Sequence, residues 1–166
     1  MKKSRTEQVV AGTGKILLVG IGNNCRGDDG LGWEFADKVE QLCEDLIDCE
    51  FRYQLQVEDA ELVQRFDLVI FADASHAQFD NGFELKRCEP SGEVFFSTHA
   101  QSPEAILQIS KDLYDKSPRA YTIAISGKEW QLRQSLSDQA GENLQAALAF
   151  FFSHFLPAVP GLKFSL

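Results

Sequence analysis

Hydrophobic residues along this chain form two kinds of pattern. The first kind, in which apolar residues are continuous or alternate with polar ones, predicts the strands. Residues 15–20 and 68–72 are continuous apolar runs, which are typical of strands buried on both faces of a parallel sheet. Residues 51–57 alternate apolar and polar side chains, which predicts another strand. The alternation of apolar and charged residues around 83–85 predicts a strand at or near a sheet edge. Two more apolar segments predict further strands: 94–96 and 120–125.

Other apolar residues recur every three or four positions, which predicts helices that bury one face. Helices are expected from 31 to about 49, around 59–65, after Ser102-Pro103 and after Ser137. The two serines are suited to N-caps, and proline suits the first helical turn. The expected apolar faces are Phe35, Val39, Leu42 and Leu46 in the first helix, Ala105, Ile106, Ile109 and Leu113 in the third, and Leu144, Leu148, Phe151 and Phe155 in the last.

Strands and helices alternate along the chain, which predicts a single α/β domain over residues 15–166. We expect three layers, with a mostly parallel, twisted sheet of about five strands and helices on both of its faces. Residues 1–14 are polar and precede the first strand, so we expect a mobile N-terminal tail.

Composition narrows the classes of function. The chain carries 16 Lys and Arg against 25 Asp and Glu, a net charge of −9, which disfavours nucleic-acid binding because such proteins neutralise phosphates with basic side chains. No apolar run reaches the roughly 18 residues of a membrane span, and the N-terminus lacks the apolar stretch of a secretory signal. The four cysteines form no C-x-x-C pair. We therefore expect a reduced, cytoplasmic protein with no membrane partner.

Chemically capable side chains follow three of the predicted strands. Asp28-Asp29 come after the first strand and a glycine-rich loop, Asp73 ends another strand, and His99 lies just beyond a third. The carboxyl ends of parallel strands meet at one edge of a sheet, where α/β proteins form their sites, so we expect these side chains to converge. Two carboxylates and an imidazole make an O/O/N set suited to nickel or zinc.

Each of these residues also has a structural interpretation. For Asp28 we prefer a role as a helix cap or helix-dipole partner. Asp73 could serve only a turn, and His99 could bond a neighbouring backbone group. His76 is a second-choice ligand, whereas His154 falls among phenylalanines in the last helix and is expected to be structural or at the surface.

Two other chemistries are possible on the glycine-rich loop. Gly20-x-Gly22 after a strand suggests dinucleotide binding, but Cys25 stands where the third glycine of G-x-G-x-x-G belongs, so the motif is incomplete. Cys25 could instead act as a nucleophile with His99 as its base. We prefer the metal site to both.

The loop over residues 20–32 (GIGNNCRGDDGLG) resembles the signature G-x-G-N-x-x-x-G-D-[DE]-G-x-G of the nickel–iron hydrogenase maturation endopeptidases, and every fixed position is met. Weaker similarity continues in four segments: Asp73-Ala74, 98–103, 125–127 and 135–137. Three residues depart from the usual pattern: the polar Asn24 and Cys25, and Trp33, which stands where many relatives have proline.

The resemblance implies an α/β fold and an aspartic-type endopeptidase that removes a C-terminal extension from the [NiFe] hydrogenase large-subunit precursor after nickel insertion. It also implies that Asp29, Asp73 and His99 are the metal-contacting and catalytic residues. Nickel is understood to arrive with the substrate, which agrees with a set of ligands too sparse to hold it tightly. We expect the free protein to be a monomer. The alternative is a non-catalytic, metal-sensing chaperone of hydrogenase assembly on the same fold.

Overall fold

Strands and helices alternate through the part of the chain that the structure, a computed structural model, describes, namely residues 14–91 and 100–156. The strands are β1 (Ile16–Ile21), β2 (Asp48–Arg52), β3 (Leu68–Ser75), β4 (Phe83–Cys88) and β5 (Arg119–Ser126). The helices are α1 (Leu31–Cys43), α2 (Asp59–Val63), α3 (Pro103–Tyr114) and α4 (Asp138–Phe155), and a 3₁₀ helix spans Gly27–Gly30. The expected tail up to residue 13, the strand at 94–96 and His99 lie outside the described residues.

The five strands form one sheet in the order β2-β1-β3-β5-β4. β1 is parallel to both β2 and β3, and β3 is parallel to β5, whereas β4 is antiparallel to β5 at the edge. The register pairs Gly20 of β1 with Ala72 of β3, so β1 ends near Ala72 while β3 continues beside β5 to Ser75. The expected mostly parallel sheet is confirmed, and so is the edge position of the strand around 83–85.

Helices cover both faces of the sheet, and each face has its own apolar core. On one face α1 and α4 pack with Ile70 and Ala72 of β3, and on the other α2 and α3 pack with Val69 and Phe71. Successive residues of a strand point to opposite faces, which is why β3 has a continuous apolar run. The three-layer prediction is thus confirmed. Within the described ranges, no helix combines the length and apolar character needed to cross a membrane.

The structure confirms both predicted helix starts. Ser102 Oγ accepts a hydrogen bond from the Ala105 N–H at 3.2 Å, and Ser137 Oγ accepts one from the Ala140 N–H at 3.2 Å. An N-cap oxygen satisfies a backbone donor that has no partner within the helix. The apolar face predicted for α4 is buried at all four positions: Leu144, Leu148, Phe151 and Phe155.

The second strand lies earlier than its alternation predicts. The pattern indicates residues 51–57, but β2 ends at Arg52, and the segment beyond it contributes an isolated bridge between Leu55 and Gln101. β2 pairs with β1, and the chain leaves β1 at Gly22, whose φ is 136°. Because a strand needs a neighbour for its backbone hydrogen bonds, the turn at Gly22 determines where β2 ends.

Three leucines predicted to lie on apolar faces are exposed: Leu42 (51%), Leu46 (44%) and Leu113 (63%). The buried stripe of α1 ends at Cys43, and Ile47 continues it beyond the helix. Leu42 lies beside this stripe, and Leu46 follows the end of α1, so helical spacing does not apply to it. Leu113 belongs to the last turn of α3.

Candidate active site

The glycine-rich loop between β1 and α1 lies in close contact with the ends of the central strands. A Cβ at Gly22 would lie 2.0 Å from the carbonyl oxygen of Asp29, and φ at this residue favours glycine. A Cβ at Gly32 would lie 2.2 Å from the carbonyl oxygen of Ile21 and 2.4 Å from that of Ala72. The N-terminus of α1 therefore rests directly on the carboxyl ends of β1 and β3, and the loop holds Asp29 beside them.

Asp28 is fully buried and accepts four hydrogen bonds from one distant loop. Its carboxylate accepts from the backbone N–H groups of Lys128 (2.7 Å), Glu129 (2.8 Å) and Ser137 (2.7 Å), and from the Ser137 hydroxyl (2.7 Å). Burial alone would raise the pKa of Asp28, but these hydrogen bonds outweigh it and lower the pKa. The prediction that Asp28 caps the helix that follows it, α1, is wrong. The helix N-terminus next to the Asp28 carboxylate is that of α4.

Backbone hydrogen bonds also join the loop over residues 128–137 to the glycine-rich loop. Gly27 and Asp28 donate from their N–H groups to the carbonyls of Arg133 and Glu129, each at 2.8 Å, and Arg133 N–H donates to the Cys25 carbonyl at 3.0 Å. The sequence predicts the N-cap at Ser137 but not that the loop contacts Asp28. Gly127 is the sequence signal for this contact, because only glycine leaves room there: a Cβ at Gly127 would lie 2.9 Å from the Cβ of Asp28.

Asp29 and Asp73 are neighbours at the carboxyl edge of the sheet. Asp73 lies within β3, which continues to Ser75 instead of ending at Asp73 as predicted, and its carboxylate accepts a hydrogen bond from the Ala74 N–H at 2.8 Å. Burial raises the pKa of Asp73 to about 7, with the negative charge of Asp29 contributing to the rise and the hydrogen bond from Ala74 opposing it. The Asp73 residue is exposed to solvent, as a group that binds a ligand must be.

His99, the third member of the predicted metal site, is not among the described residues, but the chain just after it is anchored. Gln101 is buried, and its N–H donates to the Leu55 carbonyl at 3.0 Å. Leu55 belongs to the core under α2 and α3, which contains Phe71 of β3. By strand alternation Asp73 points to this same face. Over residues 14–91 and 100–156, no three His, Cys, Asp or Glu side chains form a group that could hold a metal.

The other two histidines stack on aromatic rings. His76 lies 3.8 Å from Trp130, measured between ring centroids, and His154 lies 3.8 Å from Phe150. His154 Nδ1 is also 3.0 Å from the Phe150 carbonyl, which fits the structural role predicted for it. Cys25 is exposed on the glycine-rich loop, with its Sγ 3.7 Å from the side-chain oxygen of Asn24.

No protein-family model matches this sequence, and no curated protein matches it. Solved structures do. The [NiFe] hydrogenase maturation protease HycI from Thermococcus kodakarensis KOD1 is 22% identical with a TM-score of 0.64, covering 87% of this chain and 94% of its own. The hydrogenase maturating endopeptidase HybD from E. coli is 20% identical with a TM-score of 0.65, covering 84% and 90%. The chain has the fold of these maturation proteases.

A third solved structure shows the same likeness. The hydrogenase 2 maturation peptidase from a Thaumarchaeota archaeon is 18% identical with a TM-score of 0.62, covering 84% of this chain and 96% of its own. The maturation-protease fold confirms the α/β architecture that the loop at 20–32 implied. The roles of Asp29, Asp73 and His99 stay predictions.

Proposed function

We propose that this protein is an endopeptidase that removes the C-terminal extension from the precursor of a [NiFe] hydrogenase large subunit once nickel has been inserted. The observation that carries the proposal is the pair of neighbouring carboxyls, Asp29 and Asp73, at the carboxyl edge of a sheet with the fold of the maturation proteases. Asp29 belongs to the loop at 20–32 that resembles the family signature. The carboxyl edge is where α/β proteins bind their ligands.

In this proposal nickel is part of the substrate. Asp29 and Asp73 would contact it through carboxylate oxygens, and His99 through a ring nitrogen, which is a donor set that nickel accepts. The hydrogen bond between Gln101 and Leu55 supports the contribution of His99, because it fixes the chain two residues later on the face to which Asp73 points. Three ligands leave positions open for groups of the precursor, so cleavage would depend on whether nickel is present.

Cleavage would use water as the nucleophile. A carboxylate of the pair would act as the base for that water, and the substrate's nickel would hold the scissile peptide in position. Asp28 has no part in this chemistry, because all four hydrogen bonds to its carboxylate come from the protein itself. Its role is to hold the loop beside Asp29.

The decisive experiment mixes the purified protein with nickel-loaded and nickel-free precursor and measures the mass of the product. We expect a shorter large subunit only from the loaded precursor. Asp29→Asn, Asp73→Asn and His99→Ala should abolish processing and leave the circular dichroism spectrum unchanged, whereas the exposed Asp80→Asn should process normally. Binding of loaded precursor without any shortening would instead support the metal-sensing chaperone. Normal processing by all three site variants would overturn the site assignment.

A further inference from the structure

Both ends of the glycine-rich loop are bonded to one backbone carbonyl. The N–H of Gly22, where the chain leaves β1, donates to the Arg52 carbonyl at 2.9 Å, and the indole Nε1–H of Trp33 donates to the same oxygen at 2.9 Å. Trp33 directly follows the loop and lies in the first turn of α1. A carbonyl oxygen has two lone pairs and can accept both bonds. The two donors therefore tie the loop to the end of β2.

The indole ring of Trp33 is held in place by its aromatic neighbours. It packs edge-on against Phe51, with ring centroids 5.6 Å apart and planes at 70°, and it lies 5.1 Å from the ring of Tyr53. Trp33 is half-buried. Because the indole nitrogen can only donate, a partly buried tryptophan needs an acceptor in a fixed place, and the Arg52 carbonyl is that acceptor.

The acceptor itself is firmly positioned, because the side chain of Arg52 is bound by two carboxylates. Its Nε donates to Asp59 at 2.9 Å and its Nη1 donates to Glu50 at 2.8 Å. Asp59 is buried, and its second carboxylate oxygen accepts from the Gln56 N–H at 2.9 Å. The Arg52 carbonyl is thus a fixed point to which the loop and α1 are both attached.

Asp29 is connected to this fixed point in two ways. Its backbone carbonyl accepts from the N–H of Asn23, the residue after Gly22, at 3.1 Å. Asp29 also lies four residues before Trp33, about one helical turn earlier, on the 3₁₀ helix that runs directly into α1. Close packing at Gly32 holds this helix against β1 and β3, and the loop over residues 128–137 holds it on the side of β5. The hydrogen bond of Trp33 fixes it toward β2.

We propose that Trp33 is a positioning residue for Asp29, whose indole N–H keeps the Asp29 carboxylate at the place beside Asp73 from which it acts. The proposal rests on the proposed function, in which Asp29 contacts the nickel of the substrate. Reacting groups must be held to within about 0.5 Å, and a displacement of about 1 Å can lower a rate up to about a hundredfold. Trp33 departs from the family pattern, so the resemblance assigns it no role.

The test compares kcat and KM for nickel-loaded precursor in Trp33→Phe, which keeps an aromatic ring and removes the N–H. We expect kcat to fall about tenfold and KM to stay within about twofold, because a misplaced group weakens binding of the transition state more than binding of the substrate. Tyr53→Ala is the matched control: Tyr53 is 66% exposed, and its loss removes a ring beside Trp33 but leaves the hydrogen bond, so kcat should stay within about twofold. If Trp33→Phe has the kcat of this control, even with a lower midpoint of urea unfolding, Trp33 is merely structural and the proposal is refuted.

Amide hydrogen exchange separates failure of this proposal from failure of the proposed function, because it does not require cleavage. The Asn23 N–H, which donates to the Asp29 carbonyl, should exchange about tenfold faster in Trp33→Phe and at the wild-type rate in Tyr53→Ala. If the wild-type chain cleaves nothing but Asn23 exchanges faster in Trp33→Phe, the endopeptidase is refuted and the hold of Trp33 on the loop stands. If the wild-type chain cleaves and Trp33→Phe changes neither kcat nor the exchange of Asn23, only the positioning role is refuted.

Discussion

Replacing Asp28 with alanine should destabilise the fold more than any other single change to an acidic residue on the glycine-rich loop. The substitution removes the acceptor for three backbone N–H groups and one hydroxyl, donated by Lys128, Glu129 and Ser137. Each buried donor left without a partner costs about 1–3 kcal/mol. Lys128 is exposed and Glu129 is half-buried, so water can replace Asp28 as the partner of some of these N–H donors and reduce the cost. We expect a net loss of about 3–5 kcal/mol in the free energy of unfolding.

Urea unfolding followed by tryptophan fluorescence measures this loss, and Trp130 in the same loop reports on it directly. Asp28→Asn keeps one acceptor oxygen and should lose an intermediate amount. The exposed Asp80→Ala is the control and should unfold within about 0.5 kcal/mol of the wild type. A loss below about 1 kcal/mol for Asp28→Ala would show that the four hydrogen bonds do not hold the loop.

The pH dependence of the difference in unfolding free energy between wild type and Asp28→Ala gives an independent check. The pKa of Asp28 is lowered in the folded protein from its ordinary value of 3.8, so the folded state favours the charged form. The stabilisation is therefore complete above pH 3.8 and is lost as the pH falls through the lower, folded pKa. We expect the gap between wild type and Asp28→Ala to be constant at neutral pH and to narrow in acid. A gap that widened in acid would contradict the sign of the shift.

Two further predictions use variants elsewhere at the site. Gly32→Ala places a methyl group 2.2 Å and 2.4 Å from backbone carbonyl oxygens and should cost at least about 3 kcal/mol in urea, whereas Gly141→Ala, with nothing within 4 Å, should be neutral or stabilising by up to about 1 kcal/mol. Equal losses of stability in Gly32→Ala and Gly141→Ala would show that the close packing of Gly32 against the strand ends does not matter. Asp29→Asn removes a charge that raises the pKa of Asp73, so the Asp73 carboxyl, titrating at about 7 in the wild type, should titrate lower in a ¹³C NMR experiment. An unchanged titration would mean that the two carboxyls are not neighbours.

The sequence predicts the sheet well because its central strands are buried on both faces. β1 and β3 consist of apolar runs that no exposed element could tolerate, and their order follows from the short helical connections. The edge strand β2 is different. Its limits depend on where β1 ends, and β1 ends at Ile21, just before the turn at Gly22, so the alternation that continues to residue 57 carries no information about pairing.

The candidate site shows the same contrast between local and distant causes. Asp28 and Asp29 are adjacent and chemically identical, and local sequence gives them the same environment. The structure separates them through residues about a hundred positions away: the Asp28 carboxylate accepts hydrogen bonds from Lys128, Glu129 and Ser137, while Asp29 lies beside Asp73. The signature resemblance at 20–32 assigns the metal contact to Asp29 and not to Asp28, but nothing within the loop identifies the distant residues that hold Asp28.

This division of roles determines how loss of processing must be interpreted. A variant of Asp28 would lose processing because the loop at 128–137 is released from the glycine-rich loop that holds Asp29. A variant of Asp29 would lose processing with the fold intact. Activity alone would make the two carboxylates look equivalent. The free energy of unfolding separates them, because it should fall in Asp28→Ala, whereas Asp29→Asn should keep the wild-type stability.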